Sequence, residues 1–304
     1  MTTAAGDAGR RGERSPGGAG SAGGDRLADV VAAVAGATTV AAMIATPLLP
    51  TGGRGRRRLS SIVVTAMFAT TSANAARRWG WRRSLGAAGL TAVATGAVER
   101  IGTATGFPFG RYAYADALRP QVAHVPVIVP LAWFAMGLPS REVAHAALGA
   151  RSTRGRRIAL GAAAMTAWDL FLDPQMVGEG YWAWARRGRY RGIPASNFLG
   201  WFATSAALVA AFERLLPTSR PGTDPSDPAA RRHDRDPRTD RDDRARAGAE
   251  VRLVAQYGYV SVMQTLGFAR FFRDPLVAGV GGAAMLPTAL AAAVSLGADR
   301  GARR

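Results

Sequence analysis

Long uncharged stretches alternate with short stretches packed with arginine, and this segregation constrains the fold more than any other feature of the chain. A helix needs about 20 apolar residues to cross a hydrocarbon layer of roughly 30 Å. Spans are therefore expected at Leu27–Pro50, Leu59–Ala76, Ser84–Gly106, Val122–Leu138, Ile158–Met176, Ala195–Leu215, Val251–Phe272 and Leu276–Leu296. The count falls from eight to seven if Val251–Phe272 lies along the membrane surface. The fold expected is all-α, a polytopic transmembrane helical bundle. The first span is longer than a signal-peptide apolar region and others follow it, so it is not read as cleaved.

The segments between the spans have a different composition. Residues 1–26 are Gly, Ala, Ser and Arg without periodicity, and read as a disordered tail. Residues 27–216 form a membrane domain of six spans. Residues 217–249 alternate Arg with Asp, hold almost no large apolar side chains, and read as a disordered loop. Residues 250–304 return to the membrane with the last two spans and a C-terminal tail. The net charge is +18, and all 39 basic residues are arginines. They flank apolar segments, as in RGRRR (54–58) and RRWGWRR (77–83), which favours membrane-surface anchors over a nucleic-acid site. Arginine in the short loops places both termini in the cytoplasm, against a counter-signal at RRGRYR (186–191). The absence of cysteine excludes disulfides, thiolate metal sites and cysteine nucleophiles.

Ionisable groups inside spans are costly and tend to be functional. Three carboxylates qualify. Glu99 lies 16 residues beyond Arg83, about 24 Å along a helix. Asp169 is 11 residues past Ile158, about 17 Å in and near mid-membrane. Asp173 follows one turn later on the same face. Plainer readings exist: Glu99 as an ion pair beside Arg100, and the aspartates as the polar end of a helix stopped by Asp173–Pro174. Asp169 sits too deep for the latter.

Beyond these carboxylates, residues 102–120 and 174–201 are dense in Gly, Pro and aromatics. That suits irregular backbone lining a cavity. A surface belt is the other reading for Tyr181, Trp182, Trp184 and Tyr190. GFPFG (106–110) lacks the strand–turn–helix context of a dinucleotide fingerprint. The three histidines are scattered, so no metal centre is expected, and only His124 lies where it could join a site.

Glu99, TGFPFGRYAY (105–114), VPVIVPLAW (125–133), AWDLFLDPQM (167–176), GYWAW (180–184) and GIPASNFLGW (192–201) together resemble the bacterial and archaeal carotenoid biosynthesis membrane proteins, which include the carotenoid hydratases of the CruF type. The resemblance covers residues 85–215, returns weakly over 251–296, and leaves 217–249 as an insertion. It implies addition of water across the terminal double bond of an acyclic carotenoid, at the cell membrane and without a redox cofactor. Asp169, Asp173 and Glu99 are then the catalytic candidates, with Asp169 as acid, Asp173 holding water and Glu99 the other acid. An apolar setting lets a carboxylic acid keep its proton at neutral pH. Trp168, Tyr112, Phe109, Trp184, Asn197 and Trp133 are the candidates for binding the polyene. Partners implied are the carotenoid, the bilayer and other enzymes of the pathway. Two other classes fit less well. A non-catalytic carotenoid binder or pathway scaffold would need the aromatic cavity without the carboxylates. A proton-coupled transporter would be expected to show inverted repeats, and none is visible.

Overall fold

The computed structural model describes residues 17–217 and 237–301. Among these the protein is an all-α helical bundle of eight helices: α1 (Gly17–Ala45), α2 (Arg54–Trp79), α3 (Trp81–Thr105), α4 (Ile128–Leu148), α5 (Arg154–Gly178), α6 (Ala195–Leu215), α7 (Pro237–Arg270) and α8 (Pro275–Gly301). Four short strands lie between helices: β1 (Tyr112–Tyr114), β2 (Gln121–Val122), β3 (Val125–Pro126) and β4 (Trp182–Trp184).

Helix α4 is the axis of the bundle. Trp133, Phe134, Ala135, Met136, Leu138 and Val143 are fully enclosed, so the helix is apolar around most of its circumference, and α2, α3, α5, α6, α7 and α8 pack around it. The outside is greasy as well: Val93, Leu199 and Val294 are 75%, 72% and 64% exposed. Glu99, Arg141, Glu142, Asp169 and Asn74 are buried inside. Apolar side chains outside and ionisable ones inside suit a lipid solvent. Gly23–Leu48, Arg54–Trp79, Ala195–Leu215 and Pro275–Ala298 are each long and apolar enough to cross a membrane. The chain thus has the build of a membrane protein.

Several boundaries differ from the sequence reading. α1 begins ten residues before Leu27, and its start is tied down by Asp25 and Asp29 to Arg77 and by the Trp81 indole donating to the Gly24 carbonyl. Helix α7 begins at Pro237, so residues 237–249 are helical rather than loop. A proline fits a first helical turn, and Arg78 holds Glu250 of that helix at 2.8 Å. Residues 1–16 and 218–236, the rest of those two segments, lie outside the described residues. The fourth helix begins at Ile128, because residues 121–126 pair as the β2–β3 hairpin, with Ala123 and His124 at positive φ. Helix α5 runs through Pro174 to Gly178, so Asp173–Pro174 does not end it.

The arginines and glutamates at one end of α4 form a buried network. Glu213, at the end of α6, accepts from Arg141 Nε (2.8 Å) and Arg157 Nε (2.7 Å), with His145 Nε2 at 2.5 Å. Arg141 also reaches Glu142 and the Leu216 carbonyl, and Glu142 meets Arg78 at 3.0 Å. This network anchors the C-terminal end of α6.

At its other end α6 meets the turn after α3. Gly106 caps α3 in the left-handed conformation, and Phe107–Gly110 folds against α6. A Cβ on Gly200 would lie 2.7 Å from Phe109 Cδ1 and 3.0 Å from the Pro108 carbonyl oxygen. Gly200→Ala is therefore expected to cost about 1–3 kcal/mol by overpacking. The measurement is the thermal midpoint in detergent; an unchanged midpoint would show that the turn yields without strain.

Candidate active site

Two carboxylate clusters face one cavity, and a two-stranded sheet joins them. Period-2 alternation puts Tyr112 and Tyr114 on one side of β1, and Trp182 and Trp184 on one side of β4. The strands pair antiparallel with Tyr112 opposite Trp184 and Tyr114 opposite Trp182. The rings touch across the ladder, with centroids at 5.0 Å and 5.7 Å.

The polar ends of these side chains reach the carboxylates. Glu99, in the last turns of α3, accepts from the Tyr112 hydroxyl and from the Tyr114 hydroxyl at 2.7 Å through Oε2, and from Trp133 Nε1 at 3.1 Å through Oε1. Asp173, on α5, accepts from Trp182 Nε1 at 3.0 Å. Asn197, in the first turn of α6, donates through Nδ2 to Asp169 Oδ2 (2.7 Å) and Asp173 Oδ2 (2.5 Å). A single amide thus bridges the two aspartates. Among the described residues, no ion pair involves Glu99, Asp169 or Asp173.

The cavity holds about 310 Å³ and is mostly apolar. Glu99, Asp173 and Asn197 lie on its wall, as do Phe109, Tyr112, Trp133, Trp168 and Trp184. Asp169 does not. It is fully buried behind the wall, its Oδ2 on Asn197 and its Oδ1 without a hydrogen-bond donor. The i,i+4 spacing does place both aspartates on one side of α5, but only the later one reaches the cavity. Trp133 and Trp201 stack at 4.1 Å with planes 17° apart, and Trp168 meets Trp201 edge-on at 6.2 Å. Trp168 Nε1 and Trp184 Nε1 are buried donors without a protein acceptor. His124 sits exposed at the hairpin tip and takes no part.

Sequence reasoning missed Tyr114, Trp182 and Trp201 as site residues. The first two carried a signal in YAY and WAW, whose alternation marks short strands with a common face. Trp201 carried none beyond its place at the end of GIPASNFLGW.

Comparison with known proteins agrees with this picture. The chain is 31% identical over 135 residues to bisanhydrobacterioruberin hydratase of Haloarcula japonica, a match spanning 43% of this chain and 45% of that protein. No solved structure matches. The family description "Carotenoid biosynthesis protein" matches residues 58–230, which include every residue of both carboxylate clusters, and the chain belongs to that family.

Proposed function

We propose that this protein hydrates the terminal double bond of an acyclic carotenoid end group, within a multi-pass bundle whose termini face the cytoplasm. The observation that carries the reading is the placement of Asp173 and Glu99 on the wall of one apolar, tryptophan-lined cavity. The related hydratase supports it, and so does the family's place in carotenoid synthesis.

Hydration of a trisubstituted alkene needs a proton donor, a site that tolerates a tertiary cation, and one delivered water. Asp173 is the carboxyl placed to give the proton, because Asp169 is held off the cavity wall. The step requires one proton in the Asp169–Asn197–Asp173 bridge. Asp169, reaching Asp173 through Asn197, acts as a positioning residue. Protonation of the inner CH carbon of the double bond leaves a tertiary cation at the dimethyl end carbon, beside the faces of Trp133, Trp201 and Trp168, and that end carbon is the one water attacks. An aromatic face stabilises a desolvated cation by about 2 kcal/mol or more and offers no lone pair to trap it. Water then adds, and Glu99 is placed to receive its proton. Two tyrosine hydroxyls occupy Oε2, whereas Oε1 has only Trp133 and keeps room for a further donor. The new alcohol can accept from Trp168 Nε1 or Trp184 Nε1, two donors of the cavity wall without a protein acceptor. The proton returns from Glu99 to the aspartate pair through solvent. Addition of water is redox-neutral, so the sequence of steps calls for no oxidant.

The test is the pigment profile of cells that make an acyclic carotenoid, with and without this chain. A tertiary alcohol at the end group should accumulate only when the chain is present. Unchanged pigments with the protein correctly inserted would favour a binder or scaffold instead.

A further inference from the structure

The cavity is small for a whole polyene. Its roughly 310 Å³ lies at the low end of the range for small-molecule pockets, about 300–1,000 Å³. On the carotenoid reading, an end group and the first units of the chain fit inside, and the rest must leave through an opening.

The seam between α1 and α7 offers one. The two helices run in the same direction and are joined twice along their length. Arg252 meets Asp29 at 3.4 Å, and further on the Tyr259 hydroxyl donates to the Val40 carbonyl at 3.3 Å. Among the described residues no such tie joins them beyond that point. Met43, Ile44 and Leu48 on one side and Met263, Leu266 and Phe271 on the other line the cavity. Four of these same residues are also open to the outside: Ile44 is 50%, Leu48 66%, Leu266 55% and Phe271 51% exposed. A residue that lines a cavity and is half-exposed marks its rim. This rim is apolar, and Ile44 and Leu48 belong to the stretch Gly23–Leu48, long and apolar enough to cross a membrane. The opening therefore faces hydrocarbon rather than water.

We propose that the gap between the C-terminal parts of α1 and α7 is a lateral opening in which the polyene chain of the substrate lies, with its end group at Asp173 and Glu99 and its far end in the bilayer. This inference rests on the carotenoid reading. It implies that the enzyme acts on one end of a carotenoid at a time and tolerates changes at the distant end.

The chain has no cysteine, so single cysteines report without background. Ile44→Cys and Leu266→Cys place a thiol on the rim. Val34→Cys places one on α1 at a position 63% exposed and off the cavity wall. Full-length protein in detergent is labelled with a lipid-soluble maleimide, with and without lycopene, an acyclic carotenoid. With lycopene at about ten times its dissociation constant, labelling should slow about tenfold at positions 44 and 266 and stay unchanged at 34. Equal labelling at 44 and 266 with and without lycopene overturns the proposal, and so does an equal slowing at all three positions. Assaying the same samples for the tertiary alcohol separates this inference from the reading beneath it. Protection without alcohol leaves the opening and removes hydration, and alcohol without protection does the reverse.

Discussion

Asp173→Asn should lower hydration of an acyclic end group by about 100-fold or more, the usual contribution of a positioned general acid. The substitution keeps the size of the side chain and an oxygen to accept from Trp182, whose indole now lies 3.0 Å from the carboxylate. Among the described residues it removes the only aspartate on the cavity wall. Asp169→Asn should cost less, because that side chain is bonded to Asn197 behind the cavity wall and touches no cavity surface. Glu99→Gln should also cost activity; its one carbonyl oxygen can keep the two tyrosine donors, while the amide nitrogen takes the place of the oxygen that accepts from Trp133. Conversion is measured per amount of inserted, folded protein, alongside carotenoid binding by absorbance. A variant that binds and still turns over near-normally at position 173 would remove Asp173 as the acid. Full activity in Asp173→Asn, Asp169→Asn and Glu99→Gln together would end the carboxylate mechanism.

Glu213→Gln should destabilise the protein by about 3–5 kcal/mol, the cost of breaking a buried ion pair by removing one partner. Its carboxylate is 2% exposed and lies between Arg141, Arg157 and His145. The neutral amide leaves the guanidinium of Arg141, fully buried, without that counter-charge. The damage should be to folding rather than chemistry. Glu213 and Asn197 are sixteen residues apart on α6, about 24 Å along the helix. The network thus fixes one end of the helix whose other end carries Asn197 and Trp201. The expected result is a sharp fall in recovered folded protein and in thermal midpoint, with near-normal turnover in what folds. A midpoint within the scatter of surface variants would show that the network contributes nothing net.

Much of the bundle was legible because the membrane signal is simple. Runs of apolar residues bounded by arginine locate most of the helices, and a carboxylate inside such a run stands out. Glu99 and Asp173 were found that way, and both line the cavity. The aspartate expected as the acid was Asp169, which lies behind the cavity wall, and spacing alone does not show that. Spacing of i,i+4 fixes a common face, but which turn of that face meets a cavity depends on where neighbouring helices part. The β1–β4 pairing was hidden for another reason. Its strands are three residues each, with the whole of α4 and α5 between them, too short for a periodic pattern to rise above the aromatic richness around them. The Arg141–Glu213 network was invisible because its members sit near helix ends, where charge is ordinary. Only packing shows that they are buried. The start of α7 was hidden by composition: alternating Arg and Asp argue for solvent, and tertiary contacts such as Arg78–Glu250 override that preference locally.

The most direct test of hydration is the origin of the product's oxygen. The protein, supplied with an acyclic carotenoid in isotopically labelled water, should yield a tertiary alcohol carrying the label, and none when the label is in molecular oxygen instead. Label arriving from molecular oxygen would place this protein in a different class of reaction and contradict the account.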